Sequence, residues 1–453
     1  MRLLDALRLC LTDVVSIVGG GGKTTLMFRL ADEIVAAGGQ VITTTTTRIF
    51  ASQTDLAPFH LSLNDPDRLP PEFPALLATH SHILVTGPIQ QEYGKAFGIS
   101  TNIVDEMQTL VGNQGSAIVV EADGSRMLSL KAPAGHEPAI PDCTKVVIAV
   151  AGADILGESL RSEYVHRPEI AAELVEAQYG DPVTPDLVAR LLLHPHGGRK
   201  GVPTASRWIP LINKIESKAD IAPVRETAQS LLTGGADEVL LGAVATDCPV
   251  RERWGRVSAI VLAAGGSTRM AGAGEIKQLL PWGSGTLLSH AVDVALASVV
   301  SDVVAVVGCE AKRVEGVLDA RRVNVVENVR WLTGQSSSIR AGLETLQAGT
   351  KAVLFLLVDQ PCVGPEVIDA LVDEYQRTGA PLVAPRVNGR RANPVLFDHS
   401  TWPELQSLKG DIGGRALFEI YGDRVAWVDW SEEIVAEINS PQDYSRLRRL
   451  GKN

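Results

Sequence analysis

Short apolar segments alternate with helical patterns along almost the whole chain, and this alternation restricts the fold more than any other feature of the sequence. Repeated strand–helix pairs are typical of parallel sheets covered by helices. With 453 residues, the chain has room for two or three domains of ordinary size. Cys248–Arg256 is polar and contains a proline, so we place a domain boundary there. The sequence therefore predicts an α/β fold with two doubly wound domains, at residues 1–247 and 257–453.

The predicted elements follow this alternation in both halves. In the first half the predicted strands are Val14–Val18, Gln40–Thr44, His82–Thr86, Ala117–Glu121, Lys145–Ala151, Trp208–Ile212 and Glu238–Leu241. The helices predicted there are Lys23–Ala36, Pro168–Gln178, Pro185–Leu193 and Ala222–Leu232, and the predicted loop is Asp65–Pro74. In the second half the predicted strands are Ser258–Ala263, Val303–Val307, Val323–Val326, Ala352–Val358 and Pro381–Pro385. The helices predicted there are Leu287–Ala297 and Ser338–Thr345, the second after a Trp331–Ser338 loop.

Charge and residue usage argue against several classes of protein. A net charge of −11 argues against a nucleic-acid partner, because a phosphate backbone requires a basic face. No signal-like segment and no run of about 18 apolar residues occurs, so we expect a cytoplasmic location and no membrane contact. The five cysteines are far apart without a C-x-x-C pair, which favours neither a zinc site nor a disulfide framework.

A glycine-rich segment opens the second half at Val261–Met270 (VLAAGGSTRM). A hydrophobic strand runs into small residues, whose backbone can approach a phosphate closely and donate N–H groups to it. Arg269 and Lys277 supply positive charge where a departing pyrophosphate would accumulate negative charge. Taken alone, the segment equally suits a tight turn with two solvated cations. The predicted nucleotide-binding residues are Leu262, Ala263, Ala264, Gly265, Gly266 and Ser267.

A carboxylate follows the almost wholly apolar strand Ala352–Val358, in the sequence Asp359-Gln360-Pro361. Ligands of open α/β sheets bind at the carboxyl ends of the strands. Mg²⁺ retains bound water and needs few protein ligands. Asp359 is therefore a candidate catalytic residue and metal ligand, with a cap of a turn or helix as the alternative.

Together, these and later segments resemble the MobA-like nucleotidyltransferase family and, within it, the molybdenum cofactor cytidylyltransferases of the MocA type. The matching segments run in order over about Val257–Arg449: LAAGGSTRM with a following lysine, NVRWLTGQSSSIRAGL, LLVDQP, NGRRANPVLF, GDIGGR and INSPQDY. The resemblance implies a Rossmann-like domain in which the terminal phosphate of molybdopterin attacks the α-phosphate of CTP. Pyrophosphate leaves, and a cytosine dinucleotide cofactor forms. LAAG and GDIGGR are more similar to the cytidylyl branch than to the guanylyl branch.

The same resemblance implies roles for individual residues. Arg269 and Lys277 would bind the nucleotide phosphates, although the stretch between Met270 and Lys277 is slightly longer than is usual in the family. Asp359 would coordinate Mg²⁺, and Asn439 would help to hold the metal. The residues expected to contact the substrate are Ser336, Asn393, Asp411 and Arg415.

A second glycine-rich segment lies near the start of the chain, where Val14–Thr25 (VVSIVGGGGKTT) joins a strand to an apolar helix. Ile17 stands where the general phosphate-loop pattern has its first glycine, but a G-G-x-G-K-T variant of that pattern is met. Thr24 and Asp123 are the candidate Mg²⁺ ligands here. A flexible turn is the alternative. The predicted nucleotide-binding residues are Gly19, Gly20, Gly21, Gly22, Lys23, Thr24 and Thr25.

The first half resembles the YqeC-type proteins, which are accessory proteins of selenium-dependent molybdenum hydroxylases. The matching segments over about Arg2–Gly242 are VGGGGKTT, TTTTTR, VEADGSR, LKAPAGHEPAIP, HRPE and LINK. The resemblance implies a P-loop NTP-binding fold, with ATP or GTP as the candidate nucleotide. Asn213–Glu216 is similar to a guanine-reading N-K-x-D motif, with glutamate in place of aspartate. Candidates for contact with a second ligand are Arg126, Lys131 and His136.

For the whole chain, the leading hypothesis is a bifunctional enzyme of cofactor maturation. Its second half would cytidylylate molybdopterin, and its first half would bind NTP while the product is handled for a molybdenum hydroxylase apoenzyme. One alternative is the same chemistry with GTP or with a sugar-phosphate acceptor. Another is a delivery chaperone for finished cofactor, with the phosphate loop as a switch.

Overall fold

The computed structural model describes residues 1–111, 115–216, 221–266 and 276–450. The chain divides into two compact units, unit 1 at Met1–Trp254 and unit 2 at Gly255–Asn453. Among the helices described, none is both long enough and apolar enough to cross a membrane.

Unit 1 alternates strands and helices from the N-terminus onward. Its helices are α1 (Leu3–Leu7), α2 (Lys23–Ala36), α3 (Phe73–Thr79), α4 (Thr101–Val111), α5 (Pro168–Val175), α6 (Pro185–Leu193) and α7 (Ile221–Thr233). Its strands are β1 (Val14–Gly19), β2 (Gln40–Thr45), β3 (Arg48–Phe50), β4 (His60–Ser62), β5 (His82–Thr86), β6 (Ile89–Gln90), β7 (Lys95–Phe97), β8 (Ser116–Glu121), β9 (Leu130–Lys131), β10 (Val146–Gly152), β11 (Val165–His166), β12 (Arg207–Asn213) and β13 (Glu238–Gly242).

Eight of these strands form one parallel sheet in the order β13-β12-β10-β1-β8-β2-β5-β4. Along β1, Val15 and Ile17 pack into a core with α1 and α2, whereas Val14 and Val18 pack into a core with α3–α7. Successive side chains of a strand point to opposite faces, so a strand covered by helices on both faces must be apolar throughout. The continuous apolar runs in the sequence follow from this arrangement.

Most of the predicted elements of unit 1 are confirmed. The strand His82–Thr86 and the helices Lys23–Ala36 and Pro185–Leu193 have their predicted bounds, and the other predicted strands differ by one residue at one or both ends. The helices α1 and α4 were not predicted. The predicted loop Asp65–Pro74 is wrong at its end, because α3 begins at Phe73 and proline is tolerated in the first turn of a helix.

Unit 2 restarts the alternation within a long strand, whose first five residues belong to unit 1. Its strands are β14 (Val250–Ala263), β15 (Pro281–Trp282), β16 (Gly285–Thr286), β17 (Asp302–Val307), β18 (Asn324–Glu327), β19 (Thr350–Leu357), β20 (Leu382–Val387), β21 (Arg390–Arg391), β22 (Val395–Asp398) and β23 (Val425–Asp429). Its helices are α8 (Leu287–Leu296), α9 (Ala311–Glu315), α10 (Gln335–Leu343), α11 (Pro365–Thr378), α12 (Trp402–Ser407), α13 (Leu417–Tyr421) and α14 (Pro441–Leu450).

The sheet of unit 2 is mixed, in the order β18-β17-β14-β19-β22-β20, with β21 and β23 both paired to β20. The first four strands are parallel, and β22 is antiparallel to β19 and to β20. The helices α8, α9, α11 and α14 contribute to the core on one face, and α10, α12 and α13 contribute to the core on the other. Unit 2 is therefore also an α/β layered fold.

Two predictions about the second half need correction. The unit boundary after Trp254 lies inside the predicted segment Cys248–Arg256, but that segment is strand from Val250 onward rather than a linker. Its buried charges are paired, since Glu252 lies 2.6 Å from Arg225 and Arg253 lies 3.1 Å from Glu238. The predicted loop Trp331–Ser338 is wrong at its end as well, because α10 begins at Gln335.

Candidate active site

The loop of small residues in unit 2 and the carboxylate of Asp359 leave the sheet at the same edge. In the parallel pair β14 and β19, Leu262 lies opposite Leu357, so both strands end at this level. The buried side chain of Gln278 braces the loop, since its amide donates to the carbonyl of Ala263 at 2.7 Å and to that of Gly265 at 2.6 Å. Sequence reasoning did not select Gln278. Its position directly after Lys277 was the available signal.

Three predicted residues meet at this edge. The ammonium group of Lys277 donates to Asp359 Oδ2 at 3.0 Å and to Asn439 Oδ1 at 3.4 Å. The backbone N–H of Ile438 donates to the carbonyl of Asp359 at 2.9 Å, which fixes the two segments together. The second carboxylate oxygen, Asp359 Oδ1, is buried and has no hydrogen-bond partner among the described residues. An acceptor left without a partner in a buried position is costly unless a ligand satisfies it.

A second carboxylate, that of Glu437, supports this cluster. It accepts hydrogen bonds from Asn439 Nδ2 at 2.8 Å and from Gln360 Nε2 at 3.1 Å. These contacts turn Asn439 so that its oxygen faces Lys277. Sequence reasoning missed Glu437 because it stands directly before the recognisable motif and not within it. The described residues contain no group of three or more His, Cys, Asp and Glu side chains that could hold a metal. A metal at this cluster would therefore need the amide oxygen of Asn439 in addition to carboxylate oxygens.

A cavity of about 260 Å³ lies in the same unit. Four predicted residues line it: Leu262, Asn393, Asp411 and Arg415. The lining residues that were not predicted include two with polar side chains, Gln335 and Arg391. Asp411 accepts a hydrogen bond from the backbone of Gln335 at 3.1 Å. Burial and the neighbouring Arg415 lower the pKa of Arg391, so two guanidinium groups share one small space. This concentration of positive charge suits a phosphorylated ligand.

For the other predicted residues of unit 2, the structure gives no contact that indicates a role in binding. Ser336 is fully buried in α10, and its hydroxyl has no hydrogen-bond partner in the described part of the chain. The neighbouring hydroxyls of Ser337 and Ser338 accept from Asn328. Contact of Ser336 with a substrate therefore stays a prediction. Ser267 and Arg269 lie outside the described residues.

In unit 1, the glycines Gly19–Gly22 connect β1 to α2. Gly19 has a φ of +97°, and a Cβ atom there would lie 2.2 Å from the carbonyl oxygen of Val150. Three N–H groups of the loop are occupied by the protein. Gly19 donates to both oxygens of Asp123, Gly20 donates to Val150 at 2.8 Å, and Gly21 donates to Leu128 at 3.0 Å. These three donors are therefore not open to a phosphate in this structure, and phosphate binding by Gly19–Thr25 stays a prediction.

A chain of buried charges continues from this loop. Lys23 donates to the carbonyl of Gly19 at 2.8 Å and lies 3.4 Å from Asp123. Thr24 donates to Glu121 at 2.7 Å, and burial raises the pKa of Glu121. Lys131 lies 2.9 Å from Asp123 on its other side. Asp123 is thus shared by two lysines and a backbone N–H, and its role as a Mg²⁺ ligand, like that of Thr24, stays a prediction.

The segment Asn213–Glu216, which is similar to a guanine-reading motif, makes contacts within the protein in this structure. The amide of Asn213 donates to the carbonyl of Gly21 at 2.7 Å and accepts from the N–H of Val244 at 3.0 Å. Lys214 donates to Ser129 and Asp154. Because both ends of the Asn213 amide are engaged and the residue is buried, it braces the glycine loop instead of facing a base.

Glu137 should make the stability of unit 1 sensitive to acid. Burial would raise the pKa of Glu137, but hydrogen bonds from Arg167 and Lys131 outweigh burial and lower that pKa from 4.5 to about 2. A carboxyl with a lowered pKa stabilises the folded state above its unfolded-state pKa and loses this effect as the pH falls through the folded-state pKa. We expect the difference in unfolding free energy between wild type and Glu137→Gln to be largest above about pH 5 and to shrink toward about pH 2. Urea unfolding at several pH values measures this difference, and a constant difference would contradict the assignment.

The layered sheet, the loop of small residues, the lysine and the edge carboxylate of unit 2 are the parts of an NTP-using transferase. Residues 259–425 match the MobA-like NTP transferase domain, and residues 15–169 match the YqeC protein family. The chain therefore belongs to the YqeC family in its N-terminal part and to the MobA-like NTP transferase family in its C-terminal part.

Individual relatives match each part. The uncharacterized protein YqeC of Escherichia coli (strain K12) is 32% identical over 184 residues, which cover 38% of this chain and 68% of that protein. Nicotine blue oxidoreductase of Paenarthrobacter nicotinovorans is 32% identical over 190 residues, which cover 40% of this chain and 90% of that protein. A solved structure of a nucleotidyl transferase from Methanothermobacter thermautotroptrophicus aligns with a TM-score of 0.39 at 24% identity. The alignment covers 43% of this chain and 97% of that chain.

Proposed function

We propose that unit 2 transfers the cytidylyl group of CTP to the terminal phosphate of molybdopterin and releases pyrophosphate. One observation carries the proposal: Lys277, Asp359 and Asn439 meet at the sheet edge beside the loop of small residues, and Asp359 keeps a buried oxygen without a hydrogen-bond partner. The choice of CTP and of molybdopterin rests on the resemblance of the surrounding segments to the MocA-type enzymes. The product would serve a molybdenum hydroxylase apoenzyme.

In the proposed reaction, an oxygen of the acceptor phosphate forms a bond to the α-phosphorus of CTP. The bond between that phosphorus and the bridging oxygen of the β-phosphate breaks, and pyrophosphate leaves with the electron pair. Such transfers depend on positioning and on neutralising charge rather than on covalent participation of the protein. Lys277 would contribute a fixed positive charge next to the phosphates, and its contact with Asp359 would hold its ammonium group in place.

The residues present fit a divalent cation. Asp359 Oδ1 lacks a partner, Asn439 offers an amide oxygen, and hard oxygen ligands of this kind suit Mg²⁺. Mg²⁺ bound there would reduce the negative charge of the triphosphate. The protein itself positions the nucleotide-binding loop. Gln278 holds the carbonyls of Ala263 and Gly265 and thereby fixes the direction of the loop backbone.

The small cavity of unit 2 is proposed to receive the acceptor. Arg391 and Arg415 would bind the acceptor phosphate, because a guanidinium group pairs with phosphate through two parallel hydrogen bonds. Asn393 and Asp411 carry the donors and acceptors that a pterin ring needs. Leu262 gives the cavity an apolar wall at the end of β14.

The identity of the product tests this proposal. The purified full chain is incubated with Mg²⁺, molybdopterin and an equimolar mixture of CTP, GTP, ATP and UTP. The products are identified by mass spectrometry. We expect the cytosine dinucleotide as the main product. A guanine dinucleotide would support the guanylyl alternative. Product formation only in a parallel reaction in which a sugar phosphate replaces molybdopterin would contradict the molybdopterin assignment. If no NTP yields a product with any acceptor, the delivery chaperone becomes the better account.

A further inference from the structure

Unit 1 contains a cavity of about 850 Å³ at the N-terminal end of α2. Six cationic side chains line it, against the two carboxylates of Glu121 and Glu137. The six cations are Lys23, Arg48, Lys95, Arg126, Arg167 and Lys214. Such an excess of positive charge is unusual in a chain with a net charge of −11, and the volume falls in the range of small-molecule sites. The cavity therefore suits a polyanion of nucleotide size.

Only part of this positive charge is neutralised by the protein. Arg167 lies 2.8 Å from Glu137, and Lys23 lies 3.7 Å from Glu121. Lys214 is also paired, at 2.8 Å from Asp154. Arg126, in contrast, is exposed and forms neither an ion pair nor a side-chain hydrogen bond within the described ranges. Its backbone has a φ of 52°, an uncommon conformation for a residue with a side chain. A constrained backbone thus presents an unneutralised guanidinium group at the cavity.

His166 provides a second, independent sign of a ligand. Its side chain lines the cavity, is only 8% exposed, and makes no hydrogen bond among the described residues. Burial, and then the positive charges of Arg167, Lys131 and Arg126, lower the pKa of His166 to about 4. The ring is therefore neutral at physiological pH and offers one donor and one acceptor. Buried polar groups normally have a hydrogen-bond partner, and neither ring nitrogen of His166 has one among the described residues. The cavity is the space in which a ligand could supply that partner.

Two apolar side chains complete the lining. Phe50 is 40% exposed and Met127 is 80% exposed, and both face the same cavity as the cations. Exposed apolar groups next to concentrated charge indicate a ligand that has a ring as well as phosphates. The ammonium group of Lys95 lies 3.1 Å from the centre of the Phe50 ring, so positive charge and aromatic surface meet at one point.

We propose that this cavity is a nucleotide site whose phosphates contact Arg126 and the first turn of α2, with His166 as a hydrogen-bond partner and Phe50 and Met127 covering the heterocycle. The phosphates lie against side chains because the N–H groups of Gly19, Gly20 and Gly21 are occupied by the protein. Thr25, which is exposed at the start of α2, borders the same cavity. The site is independent of the transfer chemistry of unit 2. The shared ligand chemistry is a heterocycle joined to a diphosphate or triphosphate, either a free NTP or a pyrophosphate-linked dinucleotide.

The test measures binding to the full chain by titration calorimetry, with ATP, the cytosine–molybdopterin dinucleotide and adenosine as probes. Arg126→Gln removes one charge from an exposed position and keeps a polar side chain there, so the fold is retained. We expect it to weaken the binding of at least one phosphorylated probe by about ten-fold or more, while adenosine binds far more weakly to both proteins. Whichever phosphorylated probe loses more affinity identifies the source of the ligand.

The matched control is Arg68→Gln, which removes an exposed arginine of unit 1 outside the cavity. It should leave all affinities unchanged. Phe50→Ala is the second variant and should weaken the probes that carry a ring without weakening inorganic tripolyphosphate. Equal affinities of wild type and Arg126→Gln for both phosphorylated probes would overturn the proposal, and so would an equal loss in Arg126→Gln and Arg68→Gln.

Discussion

Asp359→Ala is expected to lower the rate of pyrophosphate release from CTP and molybdopterin by about 10²–10³-fold. The substitution removes the only carboxylate oxygen at the sheet edge that we found buried without a partner in the described chain, and with it the anchor of Lys277 at 3.0 Å. The developing charge on pyrophosphate would then lose both a fixed cation and the oxygen proposed to hold Mg²⁺. The rate is measured by a coupled pyrophosphate assay at saturating CTP.

Asp319→Ala is the matched control for this prediction. Asp319 is an exposed aspartate of the same unit that makes no described side-chain contact, so its loss should leave the rate unchanged. Asp359→Asn keeps the size of the side chain but removes its charge, and it should lose nearly as much activity as the alanine variant. If Asp359→Ala keeps more than about a tenth of the wild-type rate, the carboxylate has no part in the transfer.

Lys131→Met is expected to destabilise unit 1 by about 3–5 kcal/mol, the usual cost of removing one partner from a buried ion pair. The side chain of Lys131 is 1% exposed and lies 2.9 Å from both Asp123 and Glu137. Methionine fills much of the same space, so the loss reports on charge rather than on a void. Urea titration followed by hydrogen exchange of peptides from Ser116–Lys131 measures the unfolding free energy of this unit separately.

Lys145→Met supplies the comparison, because Lys145 is an exposed lysine of unit 1 without a described side-chain partner. It should change the unfolding free energy by less than about 0.5 kcal/mol. If the two variants lose the same small amount, the charge chain around Asp123 does not stabilise the glycine loop.

The sequence predicted the elements of this protein well where one periodicity dominates. The runs around Ile83 and Ile148 are apolar because helices cover both faces of their sheet, and their strands were placed to within a residue. Polar segments were harder. Val250–Trp254 resembles a linker because its charges find partners only in three dimensions, as Glu252 does with Arg225. The helices α1 and α4 were not predicted.

The candidate site of unit 2 was predicted in its parts through resemblance, and the structure brings Lys277, Asp359 and Asn439 together. Gln278 and Glu437 were missed because their importance lies in which group they contact, not in their type. The same holds for unit 1. The glycine loop was expected to offer its N–H groups to phosphate, but Asp123 and two backbone carbonyls occupy three of them. No local pattern reveals that Leu128 and Val150 would approach this loop.

The central claim is that unit 2 moves the α-phosphate of an NTP, with its nucleoside, to an acceptor phosphate. Parallel reactions of the full chain with CTP labelled at the α-phosphate or at the γ-phosphate test it directly. The account predicts that the α-label appears in the cytosine dinucleotide and the γ-label in pyrophosphate, in equal amounts. Label from the γ-phosphate in inorganic phosphate, with no α-label in a dinucleotide, would mean hydrolysis instead of transfer and would contradict the account.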